Sequence, residues 1–420
     1  MRNFIALLLL GYFSSGTAQA SELPLGAYLQ GLLNYARQQN PEFTAMRYEA
    51  DAAHQRVQAA AALPDPILRT ELMDVTNRGT NNDFSVVPSQ VGSTRYTLMQ
   101  SVPWFGRRGL QRGVAESQLL QSEGQVAAGW AELSNKIKFL YAQRYYLTGS
   151  EQLIQETLDL VGGLENLVRT RYANGLDEQQ SVLSLQIEQT DLQTELLKLQ
   201  TEQHHVRGRL NSVLSRPAMA ELAQPAQLRA LPVAAQFDYP LLAEKLRVNN
   251  PQLTMAAARK DEADKSRDLV FNNRYPDFIL GLAPTQTGSR INEWGLMIEM
   301  NIPLQQDARR SRERAAEAML AAFTARKEAL LNQLLSDLSE AVASLETARR
   351  NESLIALQLL PQAELTYQSA LAGYESGKID LPTLLNAQRQ ILKSRQQHLQ
   401  VQFEAQVLLA EIEKLLGEEL

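Results

Sequence analysis

Cysteine is absent from all 420 residues. The chain therefore has no disulfide, no thiolate metal site and no cysteine to carry a lipid. Histidine is scarce, with four residues. Two of them, His204 and His205, are adjacent and point about 100° apart on a helix, whereas a two-histidine metal face needs i, i+4 spacing. They read as solvated or packed side chains. Beyond the first 20 residues no run of 18 or more apolar residues occurs. That excludes a transmembrane helix and leaves β-strands as the route through a bilayer. There is no basic excess either: 41 Lys and Arg stand against 47 Asp and Glu, a formal charge of -6. Nucleic acid is not expected as a partner. No nucleophile elbow, phosphate loop or metal-ligand cluster is present, so the sequence carries no enzyme signature and calls for no cofactor.

What is there begins with an export pattern. Arg2, an apolar core from Phe4 to Tyr12 and Ala18-Gln-Ala20 have the order of a cleaved secretory signal over residues 1–20, with no lipid anchor expected after cleavage. The rest, 44% apolar and 21% charged, has the composition of an ordinary folded chain.

Proline is missing from residues 104–216, which allows a helix from near Arg107 to near Arg171. Such a helix is about 97 Å long, roughly three times a bilayer's hydrocarbon thickness. Leu119, Val126, Leu133, Leu140, Leu147, Ile154, Val161 and Val168 fall seven residues apart along it. After Tyr172-Ala-Asn-Gly175 a second seam runs through Leu185, Leu192, Leu199, Val206 and Val213. The two seams predict a long antiparallel hairpin with its tip at Gly175.

Shorter helices are expected over Leu25–Gln39 and Glu42–Ala61, the second opened by Asn40-Pro41. Strands are expected over Ile67–Leu72 and Thr94–Val102, the latter with Tyr96, Leu98, Gln100 and Val102 on its more apolar face. Then the plan repeats. Asn250-Pro251 answers Asn40-Pro41, Pro276-Asp277 answers Pro64-Asp65, and Ile302-Pro303 answers Val102-Pro103. Tyr374, Gly377, Leu385 and Gln388 answer Tyr172, Gly175, Leu183 and Gln186 at an offset of 202. The expected organisation is a first repeat over 21–214, an irregular connector over 215–240 and a second repeat over 241–420. Their strand pairs fall at about 66–103 and 277–303, and their tips at 172–178 and 374–380.

The second strand pair is read at Asp277–Ala283 and Trp294–Ile302, where Trp294, Leu296, Ile298, Met300 and Ile302 share one face. This alternation suits a membrane barrel, and equally a half-buried strand of a soluble sheet. In the first case Trp104, Phe105 and Trp294 suit an interfacial aromatic girdle. Arg107-Arg108 and Arg309-Arg310 would then meet lipid headgroups. Met73, Met99, Met297 and Met300 read as barrel surface or lumen rather than as soft copper ligands. Four strands cannot close a barrel, so several copies must pool them, which points to a ring of identical subunits.

On the duplicated motif Tyr172-x2-Gly175-x7-Leu183-x2-Gln186 and Tyr374-x2-Gly377-x7-Leu385-x2-Gln388, the chain resembles the TolC family of outer-membrane efflux proteins. The resemblance covers essentially all of the sequence after residue 20. It implies a mainly α fold with a small membrane β-part: tandemly duplicated long hairpins form a trimeric α-barrel continuous with a 12-stranded β-barrel, four strands per chain. It further implies a passive exit duct spanning outer-membrane lipid and periplasm, docked at its tips to a periplasmic adaptor and an inner-membrane transporter. Pro64-Asp-Pro66 and Val102-Pro-Trp-Phe-Gly-Arg-Arg108 look most like the branch serving heavy-metal pumps of the resistance-nodulation-division type. That branch implies metal ions as cargo. The alternative is a periplasmic coiled-coil scaffold or adaptor without a pore.

Gly175 and Gly377 supply the positive φ that a chain reversal needs, and Asp177 and Asp380 are placed to cap the returning helices. The resemblance makes Gly175, Leu176, Gly377 and Lys378 adaptor contacts. Relatives narrow the periplasmic end with acidic residues; the matching positions here are Thr383 and Asn386, leaving Asp177 and Glu178 as the charged aperture candidates. Gly162, Gly163 and Pro361 are weak points in the descending helices and are candidate hinges.

Overall fold

A computed structural model describes residues 25–76 and 84–420. The expected signal, residues 1–20, lies outside the described residues. The first half contains α1 (Leu29–Gln39), α2 (Pro41–Ala60), β1 (Ile67–Met73), β2 (Ser93–Val102), α3 (Arg107–Ala173) and α4 (Gln179–Val213). The second contains α5 (Tyr239–Asn249), α6 (Pro251–Asn272), β3 (Phe278–Thr287), β4 (Arg290–Met300), α7 (Gln306–Leu354), a π-turn (Ile355–Leu359), α8 (Leu360–Glu375) and α9 (Leu381–Leu416). With 67 residues, α3 is about 100 Å long at 1.5 Å per residue. The first helix starts at Leu29 rather than Leu25, because Gly26 takes φ 106° and turns the chain just before it.

Both halves are closed by the same device. Asn40, the N-cap of α2, accepts from the amide of Phe43 at 2.9 Å and donates through Nδ2 to the carbonyl of Val213, the last residue of α4, at 2.9 Å. Asn250 accepts from the amide of Leu253 at 2.9 Å and donates to the carbonyl of Leu415 at 2.8 Å. Each asparagine thus satisfies an orphan amide of one helix and an orphan carbonyl of another. Proline follows each, where its missing N–H leaves no hydrogen bond unmade. Above the tips, Leu32, Ile137, Leu140, Val206 and Leu210 form the core of the first half, and Leu242, Leu246, Leu338, Leu345 and Ile412 that of the second.

Side by side the long helices run α4, α3, α9, α7 at this level, so α4 and α7 are the outer members. The heptad seam of α3 is buried at Leu140, Leu147, Ile154, Val161 and Val168 but only half-buried at Leu119, Val126 and Leu133. Nearer the strands Ala115, Ser117 and Gly124 are the buried positions, and α6 lies against α3 there. A Cβ on Gly124 would meet the Met255 side chain at 2.6 Å, so small residues set that close approach.

The π-turn explains a drift in the repeat. Buried Leu147 and Ile154 correspond to buried Ala348 and Ile355, 201 positions on, whereas Val161 and Val168 correspond to Ala363 and Ala370, 202 positions on. One extra residue has entered the second copy between them. A π-turn is how a helix absorbs an insertion without losing its seam. Pro361, just after it, has no amide to give to the preceding turn.

The four strands form one antiparallel sheet in the order β1-β2-β3-β4. The second pair is longer than expected: β3 runs on to Thr287 and β4 starts at Arg290, joined through Gly288 at φ 64°. Pro284 and the polar residues after it resemble a loop in sequence. The ladder accommodates the proline by leaving Ala283 and Pro284 unpaired with β2 and shifting register between Thr285 and Gln286. Pairing Leu68 with Leu98, Leu98 with Leu282 and Leu282 with Leu296 places exposed leucines across all four strands on one face. The opposite face holds Arg69, Thr97, Met99, Gly281, Met297 and Glu299.

Candidate functional sites at the hairpin tips and the strand sheet

Both tips end in the same turn. Gly175 (φ 71°) donates to the carbonyl of Tyr172 at 2.9 Å, and Leu176 to that of Arg171 at 2.8 Å. Gly377 (φ 70°) donates to Tyr374 at 3.0 Å, and Lys378 to Gly373 at 2.8 Å. This is the Schellman arrangement, in which glycine takes the left-handed position at the helix end. Leu176 and Lys378 stand exposed at the extremities.

Asp380 caps α9 as expected, accepting from the amide of Thr383 at 3.1 Å, and hydrogen bonds from Thr383 hold its carboxyl below the usual carboxylate range. Asp177 is different. It does not cap α4, whose N-cap is Glu178 with no side-chain hydrogen bond. Its Oδ2 accepts from Arg171 Nε at 2.7 Å and from the Tyr374 hydroxyl at 2.8 Å. Arg171 also lies over the Tyr374 ring, 5.2 Å from its centroid. Tyr374 is 2% exposed; burial first, then the hydrogen bond to Asp177, push its hydroxyl pKa up. This corrects the capping expectation for Asp177: its carboxylate joins the two hairpins. Glu178, Thr383 and Asn386 are exposed.

Eleven and eighteen residues past Asp177, α4 is joined directly to α9. Arg389 Nε donates at 2.8 Å to Glu188, which is 5% exposed, and Gln396 donates at 3.1 Å to Glu195. These pairs were not singled out from the sequence; the signal available was an acid and its donor recurring at one spacing, 201 residues apart. The duplicated tip motif is used unequally. Tyr374, Leu385 and Gln388 are buried, whereas Tyr172 and Leu183 are 46% and 50% exposed and Gln186 is exposed.

Gly162 and Gly163 lie within an unbroken α3, with open space beside Gly163. Pro361 stands at the start of α8, on the π-turn.

At the sheet, Phe105 is 84% exposed beyond the helical end, and Trp294 is 67% exposed towards the β3–β4 turn, six residues or about 20 Å along β4 from Met300. Trp104 is half-buried and stacks on Tyr275 at 4.9 Å. The arginines differ from expectation. Arg107 turns inward to Asp277 and Asn273, because the β2–α3 junction needs a donor for the Asp277 carboxylate, and its side chain is 15% exposed. Arg108 Nε donates to the carbonyl of Ala61 at 2.8 Å. The Arg107 guanidinium is thus taken up inside the junction, whereas Arg108 and Arg310 are exposed. Met99 and Met297 flank Gly281 on the inner face, while Met300 lies on the outer one, so the four methionines do not converge. Among the described residues no group of three or more His, Cys, Asp or Glu is placed to hold a metal.

The chain was compared with known proteins. It is 23% identical over 397 residues to the cobalt-zinc-cadmium resistance protein CzcC of Cupriavidus metallidurans, covering 93% of this chain and 90% of that one. Its fold matches the outer membrane protein VceC of Vibrio cholerae with a TM-score of 0.77, at 18% identity over 93% of this chain and 96% of that one. It matches CusC with a TM-score of 0.79, at 16% identity over 93% and 92%. The family described as outer membrane efflux protein matches residues 32–216 and 242–418. With this coverage, and with the paired hairpins and antiparallel sheet, the chain belongs to the outer membrane efflux protein family, a family of channels rather than enzymes.

Proposed function

We propose that the chain is the exit duct of a tripartite pump, working as a homotrimer whose three sheets close one 12-stranded barrel in the outer membrane. The observation that carries this reading is the sheet. Its outer face is apolar across four strands, its inner face mixes Arg69, Thr97 and Glu299 with Met99 and Met297, and it ends on β1 and β4 with nothing paired to either edge among the described residues. In hydrocarbon each unpaired backbone group costs several kcal/mol, so the edges must meet those of further copies. The exposed copy of the tip motif, Tyr172, Leu183 and Gln186, supports the same arrangement, since its buried counterpart already packs against the neighbouring hairpin.

The periplasmic adaptor docks at Gly175-Leu176 and Gly377-Lys378, and the inner-membrane partner is a transporter of the resistance-nodulation-division type. The cargo is divalent metal ions, on the likeness to a protein named for cobalt, zinc and cadmium resistance; the duct conducts them without binding them. Phe105 and Trp294 mark the two interfaces of the lipid-facing band. Residues 1–20 direct export. Gly162, Gly163 and Pro361 are hinges for opening the tips.

The test is fractionation followed by reconstitution. The expected result is a detergent-resistant trimer in outer membranes that conducts ions in planar bilayers. A monomer released by osmotic shock would instead identify a pore-free scaffold. For the cargo, a strain lacking the chain should become sensitive to zinc, cobalt or cadmium and recover on complementation; unchanged metal tolerance rules that cargo out.

A further inference from the structure

Two buried cations on α3 lie six residues apart in opposite surroundings. Lys138, 5% exposed, meets Glu413 at 2.9 Å and Glu419 at 3.0 Å. Arg144 is 9% exposed, and among the described residues it has no carboxylate partner. Its Nη2 donates to the carbonyl of Leu222 at 3.2 Å, and its Nη1 is buried with no partner.

A second guanidinium faces it across the hairpin, because the antiparallel register that brings Gln200 to Glu151 sets Arg207 opposite Arg144. Arg207 on α4 has a buried Nε without a partner, and its Nη2 lies 3.3 Å from Nδ1 of His204. Arginine has no acceptor, so in that contact the imidazole nitrogen takes the accepting role. Burial lowers the Arg144 pKa and the neighbouring Arg207 charge lowers it further, yet arginine stays charged in proteins. Of the nearby acids, Glu151 accepts from Gln200 and Gln203, Glu202 faces Arg209, and the side chain of Glu221 is exposed. Glu221 meets Arg216 only through its backbone carbonyl, at 3.2 Å.

We propose that Arg144 and Arg207, on facing helices beneath the connector at Leu222, form a binding site for a small oxyanion such as phosphate or sulfate. The free donors are guanidinium N–H groups, whose planar forks suit tetrahedral and carboxylate oxygens. A cation or a neutral molecule would leave two like charges unbalanced out of water, the costly arrangement. The bound anion pins the first hairpin to the connector and stabilises the fold by mass action. This site does not depend on the cargo or on the pump partners.

The experiment is isothermal titration of the full chain, detergent-solubilised in its native oligomeric state, with inorganic phosphate at constant ionic strength. Saturable binding is expected, weakened at least about tenfold by Arg207→Gln. Arg209→Gln, on the same helix with its side chain 58% exposed, should bind as the unaltered chain does. Arg144→Lys keeps the charge at the buried position but loses the fork, and should weaken binding while circular dichroism remains unchanged. Absence of saturable binding, or binding that Arg207→Gln leaves intact, overturns the proposal. If the unaltered chain ignores phosphate and Arg207→Gln dissociates the oligomer, the counter-charge is a carboxylate of a second copy, and the proposal is equally overturned.

Discussion

The hydroxyl of Tyr374, three residues before the second tip, donates at 2.8 Å to the Asp177 oxygen that also accepts from Arg171, two residues past the first tip's glycine and four before it respectively. One carboxylate oxygen therefore ties two hairpins whose tips are 202 positions apart in the chain.

Removing that hydroxyl by Tyr374→Phe loosens the junction while leaving the Arg171–Asp177 pair intact. A hydrogen bond to a charged group contributes about 1.5–3 kcal/mol, so the ratio of parted to joined tips should rise roughly tenfold or more. Single-channel recording checks this as raised open probability. Open probability equal to that of the unaltered chain would exclude the junction as a restraint.

The same tyrosine sets an alkaline limit. Its folded-state pKa is raised, so its stabilising contribution is fully present below the unfolded value of about 10 and is lost as pH rises through the folded value. Burial also raises Tyr141 and Tyr367, so absorbance titration should show several late tyrosines, one of them absent in Tyr374→Phe, with the junction unaffected by any pH between 6 and roughly 9 on its account.

Replacing Asn250 by alanine removes a helix cap and leaves the Leu415 carbonyl without its donor. The loss should be roughly 2–4 kcal/mol, summing about 1 for the cap and 1–3 for the buried orphan. Asn250→Ser keeps a capping oxygen and loses the donor to Leu415, so it should fall between. Asn40→Ala should match Asn250→Ala in denaturation measurements, because Asn40 makes the equivalent bonds to Phe43 and Val213.

Glu413 is 4% exposed and accepts from both Lys138 and Arg229. Changing it to glutamine leaves buried cations short of charge and should destabilise by about 3–5 kcal/mol. Pairing Lys138→Met with Glu413→Leu should recover part of that loss. A double variant as unstable as the single one would contradict this account.

For the hinges, Gly162→Ala with Gly163→Ala, and separately Pro361→Ala, should reduce adaptor-dependent conductance; conductance left unaltered by all three would show them to be static. Deleting one residue within 355–359 is a different operation. It should turn the π-turn into regular α-helix while keeping α8 in phase, so the bond from Tyr374 to Asp177 should survive.

Helix positions were legible because proline is missing where the long helices run and because heptad seams persist over them. The hairpin tips and the duplication were legible from Gly175 and Gly377 with their flanking motifs. What escaped detection depended on geometry between segments distant in sequence. Nothing local tells whether Asp177 caps its own helix or reaches Tyr374, or whether Arg107 faces lipid or Asp277. Burial of Glu188 and its pairing with Arg389 depend on which helices lie side by side. The extent of β3 and β4 was missed because Pro284 and the glycine turn carry loop chemistry into a paired ladder.

The unpaired β1 and β4 edges have a kinetic meaning as well. A solitary copy cannot complete its own sheet, so the final step in maturing this polypeptide is a collision between molecules, and its yield depends on how much of the chain is present. Until that meeting the same edges are templates for indiscriminate strand addition, and the cell must deliver the chain quickly or keep it shielded.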